Sequence, residues 1–230
     1  MPGLGPTCHD FSLLGLHTEQ LPGIFAPHRQ VKAPVMQAYI LLALARLACE
    51  KRPATFLELF CADGHYAMFA RRFGAAQAVG IDSDRDGYLA SAEAMRSRLG
   101  LTGVEFRKRD VRTVGCDERF DIVANVGGLY HLEDPVAVLD WSYRIAARFL
   151  MVQTVGSMAT DAPDYFETPA PGLPHGSRHS RASFDRVIRG RGWRIVDSNC
   201  AALEANARLE DRGALFYLIE KPRDGTAEGT

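Results

Sequence analysis

The sequence predicts a doubly wound α/β fold built on a parallel sheet, and three observations carry that prediction. First, the apolar run Phe56-Leu57-Glu58-Leu59-Phe60 breaks into a tight turn, Cys61-Ala62-Asp63-Gly64-His65-Tyr66, and then into the alanine-rich stretch Ala67 to Ala76, giving strand, turn and helix in that order. Second, another strand signal, Ala78-Val79-Gly80-Ile81-Asp82, again closes on an acid. Glu58 and Asp82 are 24 residues apart, the spacing of consecutive strands in a right-handed βαβ unit, so both carboxylates fall at the same edge of the sheet. Third, strand and helix patterns keep alternating downstream. The edge at which such strands end is where these sheets bind ligands.

Taken in order, the first ~30 residues are rich in Gly, Pro and His without periodicity and predict an irregular arm. A helix is expected from Pro34, which suits a first turn, with Val35, Tyr39, Leu42, Ala43 and Leu47 at helical spacing. The polar group before it, His28, Arg29, Gln30 and Lys32, is either a solvated approach or a set of contacts to a ligand. Residues 1–52 thus form an arm and capping helix, and residues 53–222 the main domain. Within that domain Val104 to Phe106, Ile122 to Val126 and Phe149 to Val155 read as the third to fifth strands, with a helix over Val136 to Ala147. From Ser157 to Ser180 the chain turns to Pro163, Pro169, Pro171 and Pro174 with Tyr165 and Phe166 interleaved, a length that predicts a lid over a binding pocket. A helix over Ser183 to Arg191 stopped by Gly192, then strands over Trp193 to Val196 and Ala214 to Glu220, complete the domain. The tail 223–230 is expected to be disordered.

On these residues the chain resembles the Rossmann-like, class I S-adenosylmethionine (SAM)-dependent methyltransferases. Their first loop runs acid, any, Gly, any, Gly, any, Gly; here it reads Glu58, Leu59, Phe60, Cys61, Ala62, Asp63, Gly64, so Phe60 and Ala62 stand in place of the first two glycines. The resemblance spans roughly residues 55–155 and continues through Val104 to Val111 and Phe120 to His131. It implies a seven-stranded, mostly parallel sheet with a C-terminal antiparallel hairpin and an N-terminal helical cap. It also implies that Glu58 helps hold the methionine end of SAM, that Asp82 accepts from the ribose hydroxyls, and that Asp110 accepts from the adenine amino group. Phe60, Ala62, Gly64, Ser83, Val111, Asn125 and Val126 complete the implied cofactor site. Phe60 must point either under the loop, as core packing, or against the cofactor. Within the family, Gly64-His65-Tyr66 and Gly128-Leu129-Tyr130-His131 are similar to bacterial enzymes that modify tRNA wobble uridines and to their relatives.

At 230 residues and 47% hydrophobic the chain supports one catalytic domain. A net charge of −1 lacks the basic excess that a phosphate backbone demands, so nucleic acid is disfavoured; the runs Arg107-Lys108-Arg109 and Arg186 to Arg194 read as solvated faces. Five cysteines, Cys8, Cys49, Cys61, Cys116 and Cys200, with no CxxC pair, read as reduced thiols of a cytoplasmic protein. The longest apolar stretch, Ala38 to Ala45, is far shorter than the ~18 residues of a membrane span, so no membrane partner is expected.

Methyl transfer from a sulfonium needs alignment and, for a hydroxyl acceptor, a proton acceptor. His131, just past the fourth strand, is the candidate base, the alternative being a histidine that orients its loop; its ordinary pKa near ~6.5 suits the task. Tyr130 either flanks the sulfonium or packs in the core. His175 and His179 lack an acidic partner, so no metal is expected, and Cys61 has no base beside it. His65 is expected to start a helix near the cofactor. The reading is therefore a SAM-dependent enzyme acting on a small-molecule acceptor, preferably at oxygen, with a homodimer compatible with it. The rivals are an RNA-modifying enzyme, an NAD-dependent dehydrogenase, which would need the missing glycines, and a non-catalytic scaffold.

Overall fold

The computed structural model describes residues 5–113 and 118–222. The expected disordered tail and Cys116 lie outside these residues. The main sheet has seven strands: β1 (Ala54–Leu59), β2 (Ala75–Asp82), β3 (Val104–Lys108), β4 (Phe120–Val126), β5 (Ala146–Gly156), β8 (Arg194–Ala202) and β9 (Gly213–Glu220). Its order is β3-β2-β1-β4-β5-β9-β8, parallel from β3 through β5 and antiparallel at β9 and β8. A two-residue ribbon, β6 (Phe166–Glu167) with β7 (Arg178–His179), lies apart. The parallel strands are apolar on both faces because helices cover both. Phe56, Ala124, Phe149 and Phe216 pack beneath α1 (Phe25–Cys49) and α2 (His65–Arg72), and Met95 of α3 (Leu89–Arg98) joins the same cluster. On the other face Leu57, Val123, Leu150 and Tyr217 pack beneath α4 (Pro135–Ile145) and α5 (Arg181–Arg189). This is the doubly wound, seven-stranded sheet with its antiparallel pair that the sequence implied.

One local expectation is corrected. The first helix begins at Phe25, not at Pro34: Pro27 occupies its first turn, while Pro34 sits in the interior. A single missing N–H is tolerated there because Met36, Tyr39, Ile40, Ala43, Leu44 and Leu47 form a buried stripe along the helix. The helix is long and apolar enough by composition to cross a bilayer, with a mean hydropathy of 1.3 over its best window, but that stripe packs into the protein core. Residues 5–24 are irregular, as expected, apart from a 3-10 turn at Ser12–Leu14, and form a pinned strap in which Thr7 bridges to Gln20 and Phe11 is fully buried.

The helix starts follow from local chemistry. The side chain of Asp134 accepts from the Ala137 amide with Pro135 in the first turn, and the Ser180 hydroxyl accepts from Ser183. Helix α2 has no such cap of its own. Gly64, at φ 72°, opens it, and the carboxylate of Glu58, on the neighbouring strand, accepts from the Ala67 amide at 2.8 Å.

Candidate functional site

The C-terminal edge of the sheet opens into a cavity of about 530 Å³, within the range of small-ligand sites. Strand β1 delivers the loop 60–64 to its floor. Phe60 (φ 59°), Ala62 (φ 45°) and Gly64 (φ 72°) all take left-handed backbone, so the loop keeps the geometry that alternating glycines would give, now with two side chains in it. Gly64 must remain glycine for a second reason, since a Cβ there would lie 2.2 Å from the Phe106 ring. The Phe60 ring turns from the loop onto Gly128, where a Cβ would meet its Cγ at 2.0 Å. It lines the cavity and also packs against the core.

Asp82 ends β2 with its carboxylate facing the loop. One oxygen accepts from the Ala62 amide at 3.0 Å and the other from Asp84 at 2.7 Å, and each keeps a lone pair for a ligand hydroxyl. Glu58 is 2% exposed, and burial raises its carboxyl well above the usual range despite the bond from Ala67. Its part in the structure is thus to cap α2 as well as to line the cavity, a role its position in the sequence did not reveal. Asp110 lies at the rim, where hydrogen bonds from Arg112 pull it down to about 2. Ser83, Val111 and Val126 also line the cavity. Gly64 and Asn125 do not: Gly64 turns under the loop, and Asn125 faces the helical layer, where it donates to Ser142 Oγ at 3.0 Å.

Tyr130 and His131 follow β4 and line the same cavity, their rings 4.1 Å apart. The Tyr130 carbonyl accepts from Ser177 and Arg178, and the Arg178 guanidinium lies 5.3 Å from the Tyr130 ring. His131 is exposed at the rim. Desolvation by the cavity, with the nearby charges of Arg178, His175, Lys32 and Arg85, holds its imidazole down to about 4 rather than at its ordinary value.

The expected lid is not where the sequence placed it. None of the residues 157–180 lines the cavity; the segment is tied down by Ser157 to His179, Ser180 to Ala162, and Ser177 and Arg178 to Tyr130. The cover comes from the other end of the chain. Cys8 and His9 of the strap, and Phe25, His28, Arg29 and Lys32 of α1, line the cavity. The strap is moored by Asp63, fully buried, which takes the His9 amide at 2.9 Å and its ring at 2.5 Å. Sequence reasoning missed His9, whose partner is 54 residues away, and Gln153, whose only signal was an amide inside an apolar strand run. His65 is buried at the start of α2, as expected.

Comparison with known proteins follows this geometry. The sequence model of a family described as a methyltransferase domain matches residues 29–198. No curated protein matches the chain in sequence. Among solved structures, the N-terminal domain of EvdMO1, in the presence of S-adenosylhomocysteine (SAH) and D-fucose, is 21% identical, with a TM-score of 0.62 over 95% of this chain and 93% of that one. Magnesium protoporphyrin IX methyltransferase (ChlM) from Synechocystis PCC 6803 with bound SAH is 15% identical, with a TM-score of 0.59 over 86% and 85%. Coclaurine N-methyltransferase, bound to N-methylheliamine and SAH, is 12% identical, with a TM-score of 0.59 over 79% and 72%. At these identities the solved structures share the fold.

Proposed function

The chain belongs to the methyltransferase-domain family, with S-adenosylmethionine as its cofactor, and from that premise we propose that it methylates a small-molecule acceptor, preferentially at oxygen, with His131 as proton acceptor. One juxtaposition supports the reading: Asp82 and the left-handed loop line the same cavity as Tyr130 and His131. The residues fit the cofactor. Asp82 would take the ribose hydroxyls with its spare lone pairs, Asp110 would meet the adenine end, and the backbone of 60–64 is already coiled for close approach. Bound there, the cofactor supplies a methyl group activated on a sulfonium.

The remaining work falls to the chain. The walls of Phe60, Tyr130 and Leu132 exclude water from the transfer path. His131, neutral above pH ~4, offers a lone pair to the acceptor proton. A base held so low, mainly by desolvation, has little driving force alone, but the cations that add to the lowering also favour an ionised oxygen on the acceptor. That pairing suits an acidic hydroxyl, of the phenol or enol kind.

Thermal shift with SAM, SAH and NAD in parallel tests the cofactor premise, because a ligand that binds only the native state raises Tm. SAM and SAH are expected to raise it and NAD to leave it unchanged. Stabilisation by NAD alone would overturn the reading.

A further inference from the structure

We propose that the acceptor carries a carboxylate that pairs with Lys32 and, apart from it, a hydrogen-bond donor that reaches Gln153 Oε1; this rests on the reading of the cavity as a methyltransferase site. Lys32 lines the cavity and makes no ion pair or hydrogen bond among the described residues. Burial lowers its ammonium to about 8, the mark of a cation short of solvent and of a counter-charge. The other helix cation at the cavity, Arg29, is already neutralised by Asp10 at 2.5 Å. One turn before Lys32, His28 Nε2 is buried without a partner, and burial beside Lys32 holds that imidazole down to about 4. The first two turns of α1 therefore present a single unpaired positive charge beside a neutral ring.

Gln153 supplies an independent observation. It is fully buried on β5 and lines the cavity; its Nε2 donates to the Thr154 carbonyl at 3.0 Å, while its Oε1 has no partner. That oxygen lies 3.9 Å from where a Cβ on Gly127 would sit, and Gly127, like Gln153, lines the cavity. A buried amide oxygen with no donor costs stability unless a ligand supplies one. The two orphaned groups together describe a bifunctional acceptor, an acid at one end and a hydroxyl or N–H at the other, with an apolar body against Phe60 and Leu132. A monoanion is favoured over a phosphate because one ammonium balances one charge, and the cavity already holds Asp82, Asp86 and Asp110.

The test uses the protein saturated with SAH and calorimetry with a panel of carboxylates, 4-hydroxybenzoate, salicylate, indole-3-acetate and 3-hydroxybutyrate, each beside its neutral amide. At least one acid is expected to bind tenfold or more tighter than its amide, and Lys32→Met to erase the difference while SAH affinity stays within twofold. Gln153→Leu should keep the preference for acid but lose the preference for 4-hydroxybenzoate over benzoate. No acid preferred over its amide, or a preference that survives Lys32→Met, overturns the proposal. So does a Lys32→Met protein that binds SAH tenfold more weakly yet binds 5′-methylthioadenosine normally, for the carboxylate would then be the cofactor's own. Failure of the wild-type protein to bind SAH would instead overturn the reading on which the proposal rests.

Discussion

The ring of Phe60 fills the volume into which a side chain at position 128 would project, and Gly128 leaves that volume open: a Cβ there would sit 2.0 Å from Cγ and Cδ2 of Phe60. The two positions are complementary, a large residue at the start of the cofactor loop answered by no side chain on the loop after β4. Gly128→Ala should therefore cost about 1–3 kcal/mol by overpacking, read from urea unfolding. In a Phe60→Gly background the same change should cost a few tenths of that, because the ring is gone. Additive costs in the double mutant would show that the two sites do not couple.

Asp82 is expected to carry much of the cofactor affinity. Asp82→Ala should weaken SAH binding by about 2 kcal/mol, the scale of charge-assisted hydrogen bonds, and should also release the Ala62 amide from its partner. Unchanged calorimetric affinity in a folded variant would place the cofactor elsewhere.

His9→Ala should loosen the strap. It leaves the fully buried Asp63 without its ring partner, a loss of about 2–3 kcal/mol for an uncompensated buried charge. Limited proteolysis of the variant is expected to cut within residues 5–20 and to spare 157–180, the reverse of what a lid at 157–180 would give.

The contrast between the two segments separates what could be read from the sequence from what could not. The shared placement of Glu58, Asp82, Asp110 and His131 at one cavity was legible because each closes a strand or follows one, and in a parallel sheet strand ends share an edge. The start of α1 was not, because Pro34 carries a strong local penalty that the buried stripe from Met36 to Leu47 overrides. The segment 157–180 had the length and prolines of a lid; in the structure Arg178 ties it to Tyr130 and Asp211, contacts that no local pattern encodes. The same holds for Gln153 and for the Glu58 cap on α2, which exist only once distant elements meet.

Acid should destabilise the fold through His65. It is 1% exposed, one ring nitrogen has no partner, and burial lowers its pKa to about 3. Between its unfolded value near ~6.5 and about 3, only the unfolded chain binds the proton. Its contribution is therefore whole above the unfolded value and is lost as pH falls, by at most about 1.4 kcal/mol per pH unit. His65→Phe should flatten the fall in urea stability between pH 6.5 and 4.5, and an unchanged slope would assign that proton to other groups.

The pH dependence of turnover separates base from bystander at His131. A histidine at its ordinary value would make the rate fall through pH ~6.5, whereas the lowered value of about 4 keeps His131 neutral at any higher pH. If it takes the acceptor proton, kcat stays level from pH 8 to about 5 and drops below that, in assays short enough to precede acid unfolding. His131→Ala should lower kcat by roughly 10²-fold, the usual size of a general-base contribution, and leave SAH affinity intact, since the ring makes no hydrogen bond to Asp82 or to the loop 60–64. His131→Gln can orient the loop but accepts a proton poorly, so it should be as slow as the alanine variant. Full activity in the glutamine variant would make His131 a positioning residue, and parallel loss of SAH binding would make it a structural one. Either result favours an acceptor that arrives already ionised, its proton lost to water under the charges of Lys32, Arg85 and Arg178.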